Sequence, residues 1–136
     1  MGYDLKNDRG EELRFSTSGW TLALEIAERH GWNPQGTLVP ADWDEEEEWE
    51  GEYSSMDGQR VSKDDAAGMV KALEKALADA HFAAKTRAAF GELQDEMTAA
   101  NPRYKRIEYS LAEAEEFGGR LRELIGFATG SGFVIG

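Results

Sequence analysis

Tyr3, Leu5, Leu13 and Phe15 alternate with polar neighbours on either side of Arg9-Gly10. A period of two around a glycine-containing turn predicts a β-hairpin with one buried face. Trp20, Leu22, Ala23, Leu24, Ile26 and Ala27 then recur at helical spacing. Ser18 is the expected cap, with a start near Gly19 and a stop at Gly31. The apolar surface of this helix is wide, which predicts packing on more than one side. Trp32 to Gly36 reads as a turn.

The clearest helical pattern is Ala66, Met69, Val70, Leu73, Ala76, Leu77 and Ala80, at i, i+3, i+4 and i+7. Ser62 precedes it, with Asp65 three residues on, a capping box in which Asp replaces Glu. The helical signal continues through Phe82, Ala83, Phe90, Leu93 and Met97 to Ala100, where Asn101-Pro102 ends it. No Gly or Pro separates Met69 from Phe90, so one long kinked helix and two shorter helices are both open. Ser110 and Glu113 form a second capping box ahead of Leu111, Ala114, Phe117, Leu121, Leu124, Ile125 and Ala128. Gly118-Gly119 interrupts this last helix at a cost of about 2 kcal/mol relative to two alanines, explained by close helix–helix approach or a local bend. After the Gly130-Ser131-Gly132 turn, Phe133-Val134-Ile135 suits a buried strand joining the N-terminal hairpin.

These elements predict an α+β fold, three or four helices packed on a small antiparallel sheet. A chain of 136 residues fits a single domain with a sufficient core. Residues 37–57 show no sustained period, and the acidic loop, at about 37–61, is the one long connection. Within it, Tyr53 to Met56 and Gln59 to Val61 are expected to pair as a short hairpin about Asp57-Gly58.

Charge changes the picture of that connection. The formal net charge is −12. Residues 42–52 contain eight acids and no Lys or Arg, so two-thirds of the net charge sits in eleven residues. The flanking parts are nearly balanced. Strong acidity disfavours direct binding to nucleic acid or an anionic membrane and favours a basic partner. The absence of Cys removes disulfides, thiol nucleophiles and Cys-type zinc sites, and fits a reducing, cytoplasmic compartment. No apolar run is long enough to span a membrane, and Met1 to Arg14 carry no signal-peptide core.

Motifs for catalysis are missing. There is no Gly-x-Ser-x-Gly elbow, and nothing local pairs His30 or His81 with a nucleophile. Gly126 to Gly132 precedes a strand rather than opening a helix, the reverse of a phosphate loop. An EF-hand count from Asp42 puts Glu47 where Gly is needed and Tyr53 where Glu is needed. The expectation is a protein that is not an enzyme, with no cofactor and no metal site.

The acidic-aromatic segment is the candidate site: Asp42, Trp43, Asp44, Glu45, Glu46, Glu47, Glu48, Trp49, Glu50, Glu52 and Tyr53. As a helix it spans about 16 Å, with a charge every ~2 Å, near the ~1.7 Å axial spacing of duplex DNA. Extended, it spans about 36 Å with a spacing of ~4.5 Å. The acids would complement Lys and Arg, and the aromatics would anchor. The alternative is a solvated loop aiding solubility, its Trp residues pinning the ends to the core. A second functional reading is a small-molecule pocket or enzyme site near Trp20, His30 and Trp32. A third is a homodimer through the helical region at Phe90 and Met97.

Two likenesses bear on origin. Tyr53-x-x-Met-Asp-Gly-Gln-x-Val-Ser-x-x-Asp-Ala66, with the ending Phe127 to Ile135, resembles an uncharacterised family of small bacterial proteins. The opening Met1-Gly2-Tyr3-Asp4-Leu5 is similar to the start of several proteins of toxin–immunity systems. The resemblance implies a bacterial or phage-related cytoplasmic protein and transfers no functional residue. The sequence thus points to a protein-binding module, an immunity protein or a nucleic-acid-mimicking inhibitor.

Overall fold

The computed structural model describes residues 2–136. Its elements are β1 (Gly2–Asn7), β2 (Glu12–Ser16), α1 (Thr17–Arg29), β3 (Gln59–Val61), α2 (Lys63–Ala78), α3 (Phe82–Ala100), α4 (Leu111–Ala128) and β4 (Phe133–Ile135). The four strands form one antiparallel sheet in the order β2-β1-β4-β3. The fold is α+β, as the hydrophobic pattern predicts.

The alternation in β1 buries Tyr3 and Leu5 and exposes Asp4 and Lys6. Leu5 sits opposite Leu13 on one side and Ile135 on the other. This apolar face, with Phe15, Val61 and Phe133, joins Trp20, Ile26, Met69, Leu73, Leu121 and Leu124 of the helices in one core. Trp20 is wholly buried, ringed by Tyr3, Phe15 and Phe133 at centroid distances of 5.8–6.2 Å.

Three local expectations change. The cap of α1 is Ser16 rather than Ser18, its hydroxyl accepting from the Gly19 amide at 3.0 Å. The long helical signal is two helices. Asp79 ends α2, and its carboxylate accepts from the His81 amide at 2.8 Å, turning the chain before α3. Ala80 is therefore exposed rather than part of an apolar stripe. The 53–61 hairpin does not form. The carbonyls of Tyr53 and Ser54 accept from Trp20 Nε1 (2.9 Å) and Tyr3 Oη (2.8 Å), and the Ser55 carbonyl accepts from Gln59 Nε2 (2.8 Å). Core side chains thus take the acceptors a second strand would need, and β3 pairs with β4 and, at one residue, with Leu38.

Gly118 lies where α4 meets its neighbours: a Cβ there would stand 3.3 Å from Phe82 and 3.4 Å from Leu77. The close-approach explanation holds at this position, and α4 runs unbroken through it. Phe90 is buried, stacked on Tyr109 of the same chain at 4.3 Å. It offers no surface for a dimer; Met97 is exposed. Among the described residues, no helix is long and apolar enough to cross a membrane.

Candidate functional site

The acidic segment is a closed loop held at a neck. Gly36 and Gly51 face each other with φ of +91° and +72°. A Cβ on Gly51 would lie 3.2 Å from the Gly36 Cα, so both the backbone angle and the spacing call for glycine. The Thr37 amide donates to the Gly51 carbonyl at 3.0 Å, and its hydroxyl donates to the Glu52 carbonyl at 2.7 Å. Trp49 Nε1 reaches back to the Thr37 carbonyl (3.0 Å) and hydroxyl (3.1 Å). On the outer side, Leu38 and Arg60 exchange two backbone bonds of 2.8 and 3.1 Å. Residues 38–50 are thus an Ω-type excursion with adjacent ends.

Beneath the neck is a buried carboxylate. Asp65, only 1% exposed, lies in the first turn of α2, where the helix dipole favours a negative charge. It accepts from Trp32 Nε1 (3.0 Å), the Gln35 amide (3.2 Å) and the Tyr53 hydroxyl, the last at very short range. The Tyr53 oxygen in turn accepts from the Gly36 amide at 3.0 Å. Burial, then the bond to Asp65, holds the Tyr53 phenol well above its ordinary range. Burial, with the charge of Glu52 added, also raises Tyr3. One carboxylate therefore ties α2 to both strands of the neck.

The tip turns back on itself. The Asp44 carboxylate accepts from the Glu46 amide at 3.0 Å, and its carbonyl accepts from Glu47. Trp43 Nε1 donates to the Glu47 carbonyl at 3.2 Å, and the Trp43 and Trp49 rings meet edge-to-face at 5.0 Å. Trp49 pins the neck as expected, but neither ring enters the core. The segment is neither helical nor extended, so the even charge ladder of those two forms is replaced by a compact cluster.

All eight acids of the segment are exposed, and among the described residues none forms an ion pair. Nor do they converge: no group of three or more described His, Asp or Glu side chains is placed to hold a metal ion. Leu38 and Val39, 52% and 55% exposed, stand at the foot of the loop.

The Trp20–His30–Trp32 pocket does not assemble. Trp20 belongs to the core. Trp32 and His30 instead border a cleft of about 270 Å³ with Asn33, Gln35, Lys71 and Lys75. Asp65 is the site residue that sequence reasoning missed as such. The Ser62-x-x-Asp65 spacing marks it as a capping partner, and Ser62 does accept from its amide at 3.1 Å, but nothing local reveals that its carboxylate is claimed by residues 32, 35 and 53. No known family, characterised protein or solved structure matches this chain.

Proposed function

We propose that this protein is a non-enzymatic binding protein that holds a basic protein partner with its acidic loop. The observation that carries the reading is a run of eight exposed carboxylates, unpaired among the described residues, seven of them on a loop whose neck is tied shut and the eighth, Glu52, at that neck. Solubility alone sets no requirement on shape, and mutual repulsion opens a free acidic run. A fixed loop presents its charges with less ordering cost on binding, and its field accelerates encounter with Lys- and Arg-rich surfaces. The Trp43–Trp49 pair and the exposed Leu38 and Val39 supply apolar contact beside the charge.

An immunity-type inhibitor that blocks a basic toxin suits the compact tip better than a nucleic-acid mimic, which calls for evenly spaced charges. On this reading the protein works in a bacterial cytoplasm. The test is a paired pull-down from host lysate at low and high salt. The baits are the wild type and a variant with the eight acids of 42–52 changed to Asn or Gln, with Gly36, Thr37, Trp49 and Gly51 of the neck left intact. The expected result is a basic protein held by the wild type alone and released by salt. Equal recovery by both baits overturns the reading.

A further inference from the structure

A second feature, independent of the acidic loop, lies between α1 and α3. A cleft of about 270 Å³ is lined by Ile26, Arg29, His30, Phe82, Lys85 and Thr86, with two alanines completing it. In a chain of net charge −12, no Asp or Glu lines this cleft. Its walls are apolar at Ile26, Phe82 and Ala89, and Arg29, Lys85 and Thr86 bring groups able to donate.

Thr86 is the informative residue. It is 2% exposed, yet among the described residues its hydroxyl has no hydrogen-bond partner. The helical threonines Thr21 and Thr98 bond back to the carbonyl four residues earlier, at 2.9 and 2.8 Å; Thr86 does not. Among the described residues, no fully enclosed side-chain nitrogen or oxygen lacks a partner, so the Thr86 oxygen is open to the cleft. A hydroxyl at the cleft with no protein acceptor is free to donate to a ligand in place of water. His30 Nδ1 lies 2.9 Å from the Ile26 carbonyl. A carbonyl only accepts, so Nδ1 carries the proton and Nε2 is the nitrogen left over. Arg29 and Lys85 are held by Glu25, Glu92 and Asp79, none of which lines the cleft. These pairs are solvent-exposed and weak, and Arg29 retains guanidinium N–H groups beyond those bonded to Glu25 and Glu92.

We propose that this cleft binds a small monocarboxylate with a short apolar body. The guanidinium fork matches a planar carboxylate, the Thr86 hydroxyl donates to it, and Ile26, Phe82 and Ala89 receive the apolar part. The volume is below the ~300–1,000 Å³ of drug-sized sites, which limits the ligand to a small acid. The nearby Glu25, Glu92 and Asp79 disfavour a dianion such as phosphate.

The experiment is an amide and side-chain NMR titration of the full chain with benzoate and hexanoate, against benzamide and inorganic phosphate. The expected result is a saturable shift at His30, Phe82 and Thr86 with the carboxylates, at least tenfold weaker with benzamide or phosphate. Thr86→Val, nearly isosteric, should weaken binding about tenfold, and Thr86→Ser should restore it. Lys85→Gln, at an exposed position, should also weaken binding and gives a second readout if Thr86→Val disturbs the fold. The acidic-loop variant should bind as the wild type does. No saturable shift with either carboxylate, equal binding of benzamide or phosphate, or unchanged affinity in both Thr86→Val and Lys85→Gln overturns the proposal. None of these outcomes bears on the pull-down, so the two readings fail separately.

Discussion

At the scale of single residues, Asp65 concentrates the most consequence. Three donors converge on it from two separate parts of the chain. Asp65→Asn keeps the volume but removes the charge and turns one acceptor into a donor facing donors. The expected loss is about 2–3 kcal/mol, within the range for hydrogen bonds to charged groups, measured by urea unfolding. Tyr53 adds a pH signature. An unfolded tyrosine ionises near pH 10, and burial with Asp65 beside it keeps the folded phenol protonated above that. Its contribution is therefore complete below about pH 10 and is lost as pH rises toward the folded value. Tyr53→Phe should be less stable than the wild type at pH 8 and should show a shallower decline between pH 10 and 12. Equal slopes in the two proteins would contradict this account.

At the scale of elements, the neck decides whether the acidic loop has a shape. Gly51→Ala introduces strain at positive φ and a contact with Gly36. We expect glutamyl endopeptidase to cleave residues 44–52 markedly faster in this variant, with global stability falling by about 1–2 kcal/mol. The elements also show what a sequence discloses. The hairpin and the helices' apolar stripes are legible because each follows from its own period, β4 because its three residues are apolar and suit a buried strand, and Ser110 with Glu113 forms the capping box its spacing implies. The break at Asp79 is not legible, because a side chain rather than Gly or Pro makes the turn. The failed 53–61 hairpin is not legible either, because its carbonyls are taken by Tyr3 and Trp20, which lie far away in sequence. For the site, the acids and both tryptophans are readable as composition. Their arrangement is not, since it depends on Thr37, Gly36 and Asp65 meeting across the fold.

At the scale of the whole molecule, the charge is lopsided. Eight like charges within residues 42–52 repel each other, and that stretch contains no Lys or Arg to relieve them. Changing those acids to Asn or Gln should leave the melting temperature unchanged or raise it by a few degrees at low salt. The difference should shrink at 0.5 M salt, where the Debye length falls to roughly 4–5 Å. A fall in stability at low salt would mean that the carboxylates support the fold rather than strain it.

Because Thr37 and Gly51 are already joined by a hydrogen bond, everything between them is a detour. No residue of 38–50 belongs to the hydrophobic core cluster; the stretch is tied to the scaffold by the pairing of Leu38 with Arg60 and the bond from Trp49 to Thr37. Such a detour can be lengthened, shortened or rewritten while the scaffold stays the same. On the proposed binding role, exchanging one short passage would change what the chain recognises, and the work of folding and the work of choosing a target would fall to separate stretches of sequence.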